Sequence, residues 1–220
     1  EFTTRHDVPV FAGFPDYRIG ARGEVIYENA AGMFLPGGGR SDTYAKIHLV
    51  PFGERMPFES WLPFMKKLQL GQAEWEPGRR WTLFGLDGRR FGALICFESI
   101  YPGHARRLVR AGASWLVNIT NDEWFGNSAA LHQHAAMAVF RAVENRVPLA
   151  RCANTGVTMM VDPYGRVTAR APTWTPAVVE AVLPPAGPRT PYTRLGDWPG
   201  VLALLTLAAL AVAPRRAVTR

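Results

Sequence analysis

Cys96 closes a short apolar run, Phe91-Gly92-Ala93-Leu94-Ile95, and a carboxylate, Glu98, follows two residues later. A run of this length and composition reads as a buried strand. A thiol at its end stands at the edge of a sheet, where α/β enzymes place their reacting groups. Such a thiol attacks as its thiolate, so it needs a neighbour that takes its proton or lowers its pKa. Read alone, a cysteine in an apolar run is an inert core residue. A second segment changes that weight. Tyr44-Ala45-Lys46-Ile47-His48-Leu49-Val50-Pro51-Phe52-Gly53-Glu54 carries a lysine and, across a Pro–Gly turn, a carboxylate. On an extended segment Glu98 points to the same side as the thiol; it either hydrogen-bonds within the site or pairs with Arg106 or Arg107.

Together these stretches resemble the lysine and cysteine segments of the nitrilase, or carbon–nitrogen hydrolase, superfamily. The wording Lys-x-His-Leu-Val-Pro-Phe-Gly-Glu resembles its membrane branch, the apolipoprotein N-acyltransferases. The resemblance continues through Asn118-Ile119-Thr120-Asn121-Asp122-Glu123-Trp124-Phe125-Gly126, through Gln133-His134, Met137-Ala138 and Arg141–Glu144, and through Arg151-Cys152-Ala153-Asn154-Thr155-Gly156. It implies Cys96 as the nucleophile that carries an acyl group as a thioester, and Lys46 as the stabiliser of the tetrahedral intermediate. A compact ammonium can sit beside a developing oxyanion. Glu54 is expected to orient Lys46 and share proton transfer, and the backbone N–H of Phe97 to donate to the oxyanion. The superfamily's general base is a glutamate in an upstream Trp-Pro-Glu strand that has no counterpart here. The chain is therefore expected to be the C-terminal portion of a longer protein, carrying two of three triad members. Inside the matching blocks, Arg141 and Glu144 read as a helical ion pair and Cys152 as a buried strand residue.

The elements that must position these groups are β-rich at first. Val8–Phe14 reads as a strand, Glu24–Tyr27 and Ala31–Leu35 as a hairpin ended by Pro36-Gly37-Gly38-Gly39, and Ile47–Val50 as a short strand. Phe58–Leu68 has the apolar spacing of an amphipathic helix; Trp61 and Phe64 on it are candidate lipid contacts, with Lys66 and Lys67 behind them. Asp87-Gly88 is a hairpin turn signal between Trp81–Phe84 and Arg90–Cys96. Beyond Cys96, helix and strand alternate: a helix over His104–Ala111 stopped by Gly112, a strand over Trp115–Thr120, and a long helix from Ser128 or Ala129 to Asn145. Strands over Pro148–Ala153 and Val157–Val161 follow. This is a layered α/β pattern, and the resemblance implies a nitrilase-like α-β-β-α sandwich over residues 1–170.

Composition narrows the partners. The net charge of +7 rests on arginine, with Lys46, Lys66 and Lys67 the only lysines, and basic runs never exceed two residues. That pattern argues against nucleic acid and leaves anionic lipid open. No Cys-x-x-Cys or His-Glu-x-x-His occurs, and His132 and His134, two apart, diverge on a helix. Neither metal nor cofactor is expected. Prolines mark residues 171–198 as a linker. Residues 199–214 enclose fourteen uncharged residues, spanning roughly 21 Å as a helix against the ~30 Å hydrocarbon core. Trp198 before them and Arg215, Arg216 and Arg220 after them are membrane-interface flanks. They favour one transmembrane helix with a cytoplasmic tail over 215–220 and the catalytic domain on the periplasmic side of a bacterial inner membrane. The resemblance then implies a monomer taking a phospholipid as acyl donor and the diacylglyceryl-cysteine amine of an apolipoprotein as acceptor. A soluble-type amidase and an inactive membrane-anchored module are the alternatives.

Overall fold

The computed structural model describes residues 1–56 and 75–212. The expected Phe58–Leu68 helix, with Trp61, Phe64, Lys66 and Lys67, and the tail beyond 212 lie outside these residues. After a short helix α1 (Phe2–His6), β1 (Val10–Ile19) and β2 (Val25–Phe34) form a ten-residue antiparallel hairpin in unbroken register, and β3 (Arg40–Ala45) adds to β2. Two expectations are corrected here. The proposed hairpin of 24–27 with 31–35 is instead one strand, because Glu28-Asn29-Ala30 contains no breaker and pairs with β1 throughout. The expected strand over 47–50 does not form. The amides of Ile47 and His48 are bound by Glu98 and that of Val50 by Glu54, so they are withdrawn from any ladder.

The second sheet has six strands in sequential order. β4 (Leu83–Leu86) and β5 (Arg89–Ile95) form a hairpin whose turn, Asp87-Gly88, has positive φ at both residues, the geometry that Asp-Gly favours. β5, β6 (Trp115–Thr120) and β7 (Leu149–Ala153) are parallel, joined by the crossover helices α2 (Pro102–Arg110) and α3 (Ala129–Asn145). β8 (Met159–Val161) and β9 (Val167–Arg170) complete the sheet in antiparallel fashion.

Period-two alternation distributes the core over both faces of this sheet. Leu94, Leu116, Leu149 and Val161 pack on one face against Leu108, Val109, Ala138 and Ala142 of the helices. Phe91, Ala93, Ile95 and Val117 point the other way, against Ala31, Met33 and Tyr44 of the three-stranded sheet. The layers are thus helix, sheet and sheet. The approach is tight at Gly92, where a Cβ would come within 2.8 Å of Leu108.

From Ala171 to Arg189 the chain is irregular, yet it is docked. Arg89 donates to the carbonyls of Leu183 and Pro184, and Gly187 N–H to that of Arg146. Then α4 (Pro191–Leu195) is clamped by Arg106, which donates to the carbonyls of Tyr192, Thr193 and Arg194. α5 (Trp198–Val212) follows, with apolar side chains exposed all round, Leu204 at 69 % and Leu210 at 68 %. Among the described residues no helix is long and apolar enough to cross a membrane.

Candidate active site

Where β5 ends, the chain enters the left-handed region at Cys96, φ 50°, and turns at once into a single 3-10 turn over Cys96–Ile100. A non-glycine residue held there costs roughly 1–3 kcal/mol, so surrounding contacts must over-determine it. The half-buried thiol opens on a cavity of about 700 Å³ beyond the parallel strand ends, which Phe11, Glu54, Trp75, Trp124 and Cys152 also line. Phe97 is half-buried, its ring edge-on to Tyr101.

Lys46 lies one residue past β3 and is only 1 % exposed. Its N–H donates to the Asn29 carbonyl and its own carbonyl accepts from Gly78 N–H. Only glycine fits at 78, because a Cβ would collide with the Ala45 carbonyl. Pro51, Phe52 in the left-handed region and Gly53 fold the chain back, as the eight-residue spacing suggested. The Glu54 carboxylate then meets the Lys46 ammonium at 2.7 Å. Glu54 also accepts from Asn29 Nδ2 at 3.0 Å and from Val50 N–H at 2.8 Å. Both partners of this pair are therefore fixed, and Glu54 shares the cavity wall with Cys96.

Glu98 does not behave as an extended-strand residue, and it pairs with neither Arg106 nor Arg107. The 3-10 turn swings it inward to complete burial. Oε1 accepts from Tyr44 O–H at 2.7 Å, Ile47 N–H at 2.7 Å and His48 N–H at 3.0 Å, while Oε2 accepts from Ile95 N–H at 2.8 Å. One carboxyl group thus ties the cysteine turn to the lysine segment. Burial drives its pKa upward, against the pull of those four donors.

Beside it His104 is sealed against Trp81 and Tyr44, and its pKa is pushed down to about 3, first by burial and then by His48 and Arg107. Glu98 Oε1 is 3.9 Å from its ring, beyond hydrogen-bond distance. The fold therefore binds neutral His104. The stability this contributes is complete above the unfolded value of ~6.5 and is lost as pH falls toward the folded one, a change of several kcal/mol. Thermal unfolding of the wild type should fall steeply from about pH 6 to about pH 4, and more gently in His104→Gln. Parallel pH profiles would refute this.

Several buried polar residues were not singled out from sequence as functional. Asp122, His134 and Arg151 interlock beneath the cysteine turn: His134 Nδ1 lies 3.0 Å from Asp122 Oδ1, and Arg151 Nη2 donates to Asp122 Oδ2 at 2.7 Å. Burial alone would raise the Asp122 pKa, but the His134 hydrogen bond, the Arg151 charge and the Thr120 hydroxyl hold it below the ordinary range. The available signal was a charge in a strand: Arg151 in Leu-Ala-Arg-Cys-Ala has no solvent on its face of the sheet. By the same alternation Cys152 points the opposite way. It was expected to be buried, but it is exposed and lines the cavity, since the three-stranded sheet does not cover the end of β7. Arg141 and Glu144 do form the expected ion pair, at 2.6 Å, and Arg141 also donates to the carbonyls of Ser99 and Ile100. Among the described residues no group of three His, Cys, Asp or Glu side chains is placed to hold a metal ion.

A strained cysteine at the end of a parallel strand, opening on a cavity whose wall includes Glu54, the partner of the buried Lys46, is an arrangement suited to thiol-based acyl chemistry. The carbon–nitrogen hydrolase family profile matches residues 1–188. The apolipoprotein N-acyltransferase of Geobacter metallireducens is 46 % identical over 191 residues, covering 84 % of this chain and 36 % of that protein. Those of Chlorobaculum tepidum and Methylococcus capsulatus are 38 % and 36 % identical, over 88 % and 96 % of the chain and 40 % and 41 % of their own lengths. The chain belongs to the carbon–nitrogen hydrolase family. It spans about two-fifths of the length of these relatives. In fold it is similar to an amidase from Nesterenkonia sp. AN1, with TM-score 0.60 at 18 % identity over 93 % of this chain and 71 % of that one. It is equally similar to the carbon–nitrogen hydrolase of Helicobacter pylori G27, with TM-score 0.60 at 18 % identity over 96 % and 73 %.

Proposed function

We propose that this chain is the thiol- and lysine-bearing part of the catalytic domain of an enzyme that moves an acyl chain from a phospholipid to the N-terminal amine of a diacylglyceryl apolipoprotein. The observation that carries the reading is the cavity shared by Cys96, on its left-handed turn, and Glu54, which holds the buried Lys46 ammonium. In the first half-reaction the Cys96 thiolate attacks the ester carbonyl carbon of the phospholipid. The C–O bond breaks, the lysophospholipid oxygen takes the proton that left the Cys96 thiol, and a thioester remains on Cys96. In the second, the acceptor amine attacks the thioester carbonyl carbon, the C–S bond breaks, and the amine's proton passes back toward the released thiolate. Lys46 stabilises the oxyanion of both tetrahedral intermediates and the Phe97 N–H supplies a second donor. Glu54 orients Lys46 and shares proton transfer.

The lipid substrate calls for a membrane. α5 offers a helix of fifteen residues exposed on every side, and we assign residues 199–214 to a transmembrane span. The arginines after it support a cytoplasmic C-terminus and a catalytic domain on the periplasmic side. Trp61 and Phe64 remain assigned to lipid contact, and the active form to a monomer.

The deciding measurement uses the full-length protein in vesicles containing a phospholipid with a labelled acyl chain, together with a diacylglyceryl-cysteine peptide. The label is expected on the peptide amine, with little free fatty acid. Release mainly to water, with the peptide unmodified, would establish the amidase-like alternative instead.

A further inference from the structure

One backbone oxygen beside the cavity is held from three directions. The carbonyl of Cys96 accepts from Ser99 Oγ at 3.0 Å, from His134 Nε2 at 3.2 Å and, more distantly, from Asn118 Nδ2 at 3.5 Å. Ser99 belongs to the turn itself, but His134 comes from α3 and Asn118 from β6. Neither is free to drift. Asp122 grips the far side of the His134 ring, and Arg151 donates both to Asp122 and to Asn118 Oδ1. All four side chains are at least 95 % buried. The direction of the His134 bond follows from its partners. The Cys96 carbonyl can only accept, so the His134 contact is a hydrogen bond in the form that carries a hydrogen on Nε2; the Ser99 hydroxyl, 3.1 Å from that nitrogen, then donates to the carbonyl.

We propose that His134 is a positioning residue: braced by Asp122 and Arg151, it pins the Cys96 carbonyl and thereby aims the thiol into the cavity. The idea rests on the reading of Cys96 as the nucleophile. A cysteine at φ 50° relaxes toward extended backbone unless its surroundings prevent it. Rotation of this peptide would carry the thiol away from the cavity it shares with Glu54, and ångström-scale misplacement of a reacting group costs on the order of 100-fold in rate. A buried ion cluster serving only the stability of the core would have no such effect on one thiol alone.

The two cysteines make the test internally controlled, since both line the same cavity. In the full-length protein, alkylation by iodoacetamide is followed separately at Cys96 and Cys152 by mass spectrometry. His134→Phe should slow Cys96 by roughly 10- to 100-fold and leave Cys152 within about twofold. His134→Gln, whose amide nitrogen reaches the Nε2 position, should restore Cys96 to within about threefold of wild type. Ser99→Ala removes one donor from the same carbonyl without stranding a buried charge, and should slow Cys96 to a smaller degree. Unchanged Cys96 labelling in His134→Phe overturns the proposal, as does a parallel change at both thiols; if that variant fails to fold, Ser99→Ala decides by the same criterion. Acyl transfer plays no part in this readout. A wild-type protein that moves no acyl chain would refute the assigned substrate and leave this test intact.

Discussion

Cys96→Ser should abolish the acyl-enzyme completely, while Cys152→Ser retains most of it. Both thiols face one cavity, so access to substrate does not separate them. Their backbones do. Cys96 stands in a left-handed turn that opens a 3-10 segment, whose first amides have no intrahelical partner and can gather around an oxyanion. Cys152 stands in the regular ladder of β7, paired in register with Ile119, where its neighbouring amides serve the sheet. A serine alkoxide is far harder to generate near neutral pH than a thiolate, so the substitution removes the nucleophile while scarcely changing its volume. Intact-mass and peptide mapping of the full-length protein with phospholipid gives the answer directly. An acyl group found on Cys152 in the wild type would reverse the assignment.

Lys46→Arg should reduce acyl transfer by roughly 100- to 1,000-fold although the charge is kept. Lys46 has 1 % of its surface exposed, and its ammonium is matched to a Glu54 carboxylate already engaged by Asn29 and Val50. A guanidinium is planar and larger, and it cannot occupy the same point beside both Glu54 and a tetrahedral oxyanion. Overpacking such a closed site also costs about 1–3 kcal/mol of stability, so the rate must be measured on protein shown to be folded by its unfolding midpoint. Activity within about threefold of wild type would reduce Lys46 to a structural partner of Glu54.

Much of this site could be read from local signals. The apolar run before Cys96 is β5, the Asp87-Gly88 turn is where the hairpin reverses, and Trp115–Thr120 and Ala129–Asn145 are strand and helix as their periodicity indicates. The Lys46–Glu54 pair was legible because a Pro–Gly turn returns the chain on itself over eight residues. What escaped was every contact made between segments distant in sequence. Glu98 looked like a neighbour of the thiol, and besides Ile95 N–H its partners are Tyr44, Ile47 and His48, about fifty residues away. Nothing local indicates that a carboxyl will collect those amides. The same amides, once taken, cancel the strand expected at 47–50.

By itself the sequence determined the family, through its resemblance, and the strands and helices between Trp81 and Val161, through periodicity and turn residues, which are local properties. Only the tertiary structure decided which way the charged groups face. β7 shows the division most plainly. Its five residues read as a strand from composition alone. Whether Arg151 or Cys152 meets solvent depends on which face α3 covers and where the three-stranded sheet stops. A burial cost falls on an ionic group only once its neighbours have excluded water. Hence the buried Asp122–His134–Arg151 cluster, and the cavity that exposes Cys152 beside Cys96, exist as physical facts only after the layers have closed.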